Sequence, residues 1–386
     1  MTTLTRCALN IGCALFVVPA IALAQGRSTS APSVSEMAAF LAAQPKWSFS
    51  AALKASYGYK DNLLLSFADE ERSPFVRGSV DFLLLRIPQD QLDFTFFAEV
   101  ESTRYTAGKL VKDDAKVWLR TEAAYHISDS VTLELPVTGY YNDQVFDVSD
   151  TDVERLVAEL KVTGVIVAPA VRWVVHPAWW AEAQAVAHRK RYDDHINDGD
   201  IGEGALRLGW KHQNWLEAQL SGAQRWRNFK SRAQYFSNGR EAEGTELKIS
   251  EQEAEFRVDV AWDKAARWET STAISVLHYR DNGSGFFNFR EQKVAQELEW
   301  SSASWLVRLG GSASRVDYDV QTVGLGIEPP ARLRDEFVAE FFVERKLNAR
   351  WKVFGAYLWE RSRSNDPVAS YKVNEGLLGV RWSWDK

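Results

Sequence analysis

The sequence predicts an all-β protein: one transmembrane antiparallel β-barrel of about sixteen strands, preceded by a short helix and exported to a bacterial outer membrane. Three observations carry that prediction. Apolar and polar residues alternate along segments of about ten residues, the connections between those segments alternate short and long, and tryptophan gathers at the short-connection ends.

The chain opens with an export signal. Arg6 precedes an apolar stretch from Cys7 to Leu23, and Ala22-Leu23-Ala24 offers an A-x-A site before Gln25. The stretch falls short of the roughly 20 residues that cross a bilayer as a helix, and Pro19 interrupts it. A signal peptide over 1–24, cleaved after Ala24, is expected. A lipid anchor on Cys13 is not, because Asn10 stands where a branched apolar residue is needed. Over 25–46 the expectation is a linker and one short helix. Ser33 and Glu36 have capping-box spacing ahead of Met37, Phe40 and Leu41, and Pro45 stops it.

Both cysteines, Cys7 and Cys13, leave with the signal, so disulfides cannot hold the mature fold. The mature charge is 45 bases against 52 acids, or −7, once Arg6 is removed. That mild acidity, without a basic tract, excludes nucleic acid as a natural partner. Sixteen Trp, twelve Tyr and twenty Phe sit beside 25% charged residues, yet after residue 24 no apolar run reaches helix-spanning length. A wall apolar on one face and polar on the other reconciles those facts.

From Trp47 to the end, residues 47–386, the period is two. Leu92, Phe94, Phe96, Ala98 and Val100 oppose Asp93, Thr95, Phe97, Glu99 and Glu101. Val117, Leu119, Ala123 and Tyr125 oppose Lys116, Arg120 and Glu122, and Phe337, Ala339, Phe341 and Val343 oppose Glu336, Glu340 and Glu344. Short turns are expected at 88–91, 128–130, 176–178, 211–214, 263–267, 301–304 and 347–350. Long polar loops are expected at 60–73, 106–114, 143–154, 193–200, 229–250, 280–290, 317–334 and 361–372. Seven short and eight long connections join sixteen strands, with both termini on the short-turn side.

The tryptophans set the membrane level. Trp179, Trp215, Trp268, Trp305 and Trp351 begin strands after short turns, while Trp210, Trp262 and Trp300 precede such turns. With Trp382 and Trp384 they make an expected interfacial girdle, because an amphipathic indole prefers the headgroup level. The expected partners are therefore outer-membrane lipid and lipopolysaccharide. A lumen this wide stays aqueous. The expected lining is Lys116, Arg120, Glu122, Glu159, Lys161, Arg207, Arg225, Arg227, Glu255, Arg257, Arg308, Glu340 and Glu344. Those charges either set the selectivity of a pore or form ion-pair ladders that hold the strands in register.

Few residues point to catalysis. Tyr235-Phe236-Ser237-Asn238-Gly239-Arg240 resembles the His-x-Ser-Asn-Gly segment of outer-membrane phospholipase A. The resemblance would make Ser237 a nucleophile, but Tyr235 stands in the place of the basic histidine, and a phenol of ordinary pKa cannot replace imidazole near neutral pH. His188 and His195 flank Asp193-Asp194, a loose metal-ligand spacing that reads as polar loop. No cofactor, no metal and no enzymatic activity are expected.

Two segments carry resemblances to membrane barrels. Gly379, Trp382 and Trp384 resemble the C-terminal signal read by the barrel assembly machinery, which implies that machinery as a partner during biogenesis. Tyr57-Gly58-Tyr59-Lys60-Asp61-Asn62-Leu63-Leu64-Leu65-Ser66 resembles the opening strand of a loose group of outer-membrane barrels, some of which are associated with exopolysaccharide systems. The resemblance implies a porin-like channel or an outer-membrane component of such a system, with a small solute or a polysaccharide as passenger. The alternatives are a phospholipase-like hydrolase and a surface receptor or adhesion scaffold.

Overall fold

The computed structural model describes residues 46–385, except 68–69, 87–89, 148–156, 194, 196, 264 and 325. The expected signal peptide and short helix lie outside these residues, as do the side chains at 146–147 and 157–160.

The strands follow the turn pattern. They are β1 (Trp47–Lys60), β2 (Ser73–Arg86), β3 (Leu92–Tyr105), β4 (Asp113–Ser128), β5 (Val131–Asp147), β6 (Val157–Val167), β7 (Ala170–His176), β8 (Trp179–Tyr192), β9 (Gly199–His212) and β10 (Leu216–Phe229). A two-rung hairpin follows, β11 (Gln234–Tyr235) with β12 (Glu241–Ala242). The wall resumes with β13 (Lys248–Ala261), β14 (Trp268–Asp281), β15 (Phe289–Ser301), β16 (Trp305–Thr322), β17 (Ala331–Lys346), β18 (Trp351–Ser364) and β19 (Tyr371–Asp385).

Every neighbouring pair in the wall is antiparallel, and β1 pairs with both β2 and β19, so the sheet closes and has no free edge. The segments β6 and β7 share one wall position, since both pair with β5 and with β8. Between them stands Pro169, which has no N–H for the ladder. The neighbouring amides bridge the interruption: Ala168 N–H donates to Pro136 O, and Ala185 N–H donates to Pro169 O, each at 3.0 Å. With β6 and β7 counted once, the wall has sixteen strands, with the seven short and eight long connections where the sequence places them.

Alternation becomes two faces because the register keeps like with like. Leu53 lies opposite Val80, Val80 opposite Val100, and Val100 opposite Val117, all on the outside. The next residue of β1, Lys54, points inward and pairs with Asp81 at 2.6 Å. A slip of one residue would put every such lysine outside and every leucine in the lumen, so the pattern fixes the register.

The first loop is fastened to the closing seam. Asn62 is fully buried; its amide donates to Lys372 O at 3.0 Å and to Ser66 O at 2.7 Å. Asp61 accepts from the backbone N–H of Asn374 at 2.7 Å and from its side-chain amide at 2.5 Å. The Asp-Asn pair of the opening-strand motif therefore joins the start of the barrel to its last strand.

Candidate functional site: the inward face

The inward face is polar through its middle and apolar at the long-loop mouth. Of the expected lining residues, Lys116, Arg120, Glu122, Arg207, Arg225, Arg227, Glu255, Arg257, Arg308, Glu340 and Glu344 share register parity with the inward Lys54 and Asp81. Lys161 does not. Its neighbour Val165 is half exposed on the outer face, and Lys161 stands there too, opposite Asp143, whose carboxylate lies 3.6 Å from its ammonium. The reason is level: above the apolar band the outward face also turns polar, so polarity no longer reports direction. The side chain of Glu159 lies outside the described residues.

The inward charges are largely paired with one another. Lys116 reaches Glu99 at 3.4 Å, Arg120 Glu122 at 2.9 Å, Arg257 Glu255 at 3.4 Å and Arg308 Glu299 at 2.5 Å. Arg207 bonds Glu182, and Glu344 holds Lys352 at 2.5 Å with Arg381 at 3.8 Å. Arg120–Glu122 and Arg257–Glu255 lie along one strand each, while the other pairs cross between strands, as register-holding ladders should. They are also wet: Arg257, Glu122 and Lys352 keep 34%, 33% and 31% of their side-chain surface open. Nearer the mouth, Arg77 of β2 bonds Glu375 of β19 at 2.8 Å across β1, and sequence inspection missed this pair because no local spacing joins residues 298 apart.

One network is sealed. Arg225 donates from Nε to Glu203 at 2.6 Å and from Nη1 to Glu251 at 2.5 Å, and Arg227 donates to the other Glu251 oxygen at 3.2 Å. Glu251 keeps 1% of its side-chain surface. At this depth an unpaired charge would be costly, so Glu251 ties β13 to β10 through both guanidiniums, and the bond from Arg225 to Glu203 extends the tie to β9.

Beside it runs an aromatic row. Trp118 stacks on Tyr140 with centroids 5.6 Å apart and planes at 22°, and the Tyr140 hydroxyl lies 2.8 Å from His188 Nε2. The Tyr140 ring lies across the backbone at Gly164, where any Cβ would fall inside the ring. Likewise Trp180 lies over Gly209, reaching Glu217 at 3.1 Å with Arg172 stacked on it at 4.1 Å. Trp180 thus faces the lumen although its neighbour Trp179 is on the outside, 53% exposed.

The loops fold inward at the mouth. Leu247, Phe286 and Phe287 pack against inward Phe229, Ile249, Leu277, Tyr279 and Phe289. Tyr235 joins them, stacked 5.9 Å from Phe286 and edge-on 5.3 Å from Phe287. Its segment is the β11–β12 hairpin, whose turn closes through Gly239 N–H to Phe236 O at 2.9 Å with Gly239 at φ +78°. Tyr235 is a packing residue there, and Ser237 stands in the turn. Across the mouth, Leu63, Phe75, Tyr105 and Val111 form a second apolar cluster.

His188 and His195 are held by different groups, Tyr140 and Asp198, and among the described residues no three His, Cys, Asp or Glu side chains converge as a metal group. On the outer face the girdle tryptophans stand at the short-turn rim, with Trp179 opposite Trp210, Trp268 opposite Trp300 and Trp351 opposite Trp382. Trp262, Trp305 and Trp384 are exposed there, and Trp215 lies in the turn before β10, edge-on to His212 at 5.6 Å. Trp47 and Trp173 belong to the same rim and escaped the sequence pattern.

No protein-family model matches the chain, and no curated protein matches it. Among solved structures it is similar to OccAB4 of Acinetobacter baumannii, at 9% identity over 89% of this chain and 99% of that one, with a TM-score of 0.47. OccK11 (OpdR) of Pseudomonas aeruginosa is similar at 8% identity, over 88% of this chain and 96% of that one, with a TM-score of 0.46. Outer-membrane expressed OmpT of Vibrio cholerae is similar at 11%, over 88% and 99%, with a TM-score of 0.44. At such identities and scores the likeness carries no argument about function.

Proposed function

We propose that this chain spans the Gram-negative outer membrane as a porin-like passive channel, exported by its N-terminal signal with cleavage after Ala24. One observation carries the reading: the wall is apolar outside and wet and ion-paired inside. Leu206, Leu208, Leu220, Phe256, Ile274, Val294, Leu309 and Leu378 are exposed around the barrel, a continuous belt far beyond the few hundred Å² of apolar patch that soluble monomers tolerate. A closed sheet satisfies its own backbone groups, as a bilayer demands. The aqueous interior gives small polar solutes a path, and the C-terminal strand presents Trp382 and Trp384 to the assembly machinery.

The test is planar-bilayer recording of the purified protein. Discrete ohmic steps are expected; silence from protein shown to have inserted refutes the channel.

A second reading, a channel for a saccharide of an exopolysaccharide system, rests on the row Trp118–Tyr140–His188. Flat aromatic faces beside paired charges suit the apolar face and rim hydroxyls of a sugar ring. Added oligosaccharide should then interrupt the current in a way that Trp118→Ala removes.

A further inference from the structure

Two rims of the outer face differ in chemistry. At the short-turn rim stand the tryptophans. At the long-loop rim, outward positions of six of the seven wall strands from β13 to β19 carry bases: Lys248 on β13, Arg280 on β14, Arg290 on β15, Arg315 on β16, Arg361 and Arg363 on β18, and Lys372 on β19, while β17 carries Asp335. Outward parity follows from the register, since Arg290 alternates in step with Val294 and Arg361 with Tyr357, both exposed. Against these seven bases stand Asp317, Asp319 and Asp335, a balance of 7 − 3 = +4. Asp317 pairs with Arg315 at 3.4 Å, and Glu246 of the preceding loop approaches Lys248 at 3.9 Å. Arg280, Arg290, Arg361, Arg363 and Lys372 are exposed and make no ion pair among the described residues. The rest of the circumference is different. There Arg104 pairs with Asp113, Lys161 with Asp143, and Arg189 and Arg191 with Asp200.

Height gives the belt its meaning. Trp305 and Arg315 are ten residues apart on the outer face of β16, as are Trp351 and Arg361 on β18 and Trp300 and Arg290 on β15. Ten residues at a ~3.3 Å rise, tilted by ~40°, span about 25 Å along the barrel axis, the height of the apolar band of a membrane barrel. Between Trp305 and Arg315 the outward residues are Val307, Leu309, Gly311 and Ala313, with no charge among them. The guanidiniums therefore stand one hydrocarbon thickness above the indoles, at the opposite headgroup level.

We infer that the β13–β19 half of the long-loop rim is a binding surface for the phosphate groups of outer-leaflet glycolipid. Guanidinium forks donate bidentately to phosphate oxygens, and although Asp317 stands opposite Arg290 and Asp335 opposite Arg363, no described carboxylate lies within ion-pair distance of these five bases. The inference rests on the outer-membrane reading proposed above.

The test uses the full mature protein, purified in neutral detergent, with bisphosphorylated lipid A and its enzymatically dephosphorylated form as probes, and native mass spectrometry as readout. Wild type should bind the phosphorylated lipid at least tenfold more tightly. Arg280→Gln, Arg290→Gln, Arg361→Gln and Arg363→Gln together should abolish that preference. Arg104→Gln with Arg189→Gln, on the ion-paired side, should leave it within twofold. Equal binding of the two lipids by wild type, or an unchanged preference in the fourfold variant, overturns the inference. The outcomes separate from those of the channel reading, because a barrel that inserts and conducts while ignoring phosphate contradicts only the belt.

Discussion

Arg225 and Glu251 face each other across β10 and β13 at 2.5 Å, and Arg227, two residues along the same strand, shares that carboxylate at 3.2 Å. Removing the shared acid leaves Arg227 enclosed without its carboxylate and Arg225 with Glu203 alone. Glu251→Ala should cost about 3 kcal/mol, within the range for breaking a buried ion pair. The check is the temperature at which folded and unfolded forms separate on gels. Removing Arg227 as well should restore part of the loss, because the uncompensated charge leaves with it.

The seam between first and last strands should be equally sensitive. Asn62 is fully buried and bonds both its own loop and β19. Asn62→Ala orphans the carbonyls of Lys372 and Ser66, and about 2–3 kcal/mol of destabilisation is expected by the same gel assay. Asn62→Asp, which keeps the acceptor but loses the donor, should fall between wild type and alanine.

The turn between β13 and β14 holds Ala266 at φ +47°. A non-glycine residue in that conformation costs about 1 kcal/mol or more. Ala266→Gly is expected to raise stability by about 1 kcal/mol without altering conductance, and a fall in stability would show that the turn does not hold this conformation.

The short turns also carry a pH signature. The Arg86 guanidinium grips both oxygens of Asp90, and the Leu92 amide donates to one of them, so the carboxyl ionises at about 2 rather than 3.8. Because the folded value is depressed, the contribution is complete above the unfolded value and is lost as pH falls from about 4 through 2. Wild type and Asp90→Asn should thus differ by a constant amount between pH 5 and 8, draw together as pH falls from about 4, and converge only below about pH 2 in unfolding midpoint.

Much of this architecture is written in the chain as period and punctuation. Strand number follows from the rhythm of short and long connections, and the inward parity of residues such as Arg120 and Glu344 from alternation, because register ties every side chain to a face. Lys161 shows where that logic stops: near the mouth both faces are polar, and parity must be counted up from Val165 rather than read from charge. The inward fold of Phe286 and Phe287 was illegible for a different reason. A loop's apolar residues have no period, and their partners Tyr279 and Phe289 are indistinguishable from wall residues until the loop lies on them. Similarly, Trp179 and Trp180 are adjacent letters with opposite fates, and only Gly209 across the ladder makes room for the inward ring.

The central claim is that one face of each strand meets lipid and the other meets water, and neighbouring residues of β15 test it most directly. Lys293 is inward, while Val294 is outward and 46% exposed. Both cysteines, Cys7 and Cys13, lie within the first 24 residues, so in protein beginning at Gln25 Lys293→Cys and Val294→Cys each introduce one thiol. With the barrel reconstituted in lipid vesicles, a charged, membrane-impermeant maleimide should label position 293 rapidly and leave 294 unmodified until detergent is added. Equal labelling of both positions before detergent would contradict a membrane-spanning wall.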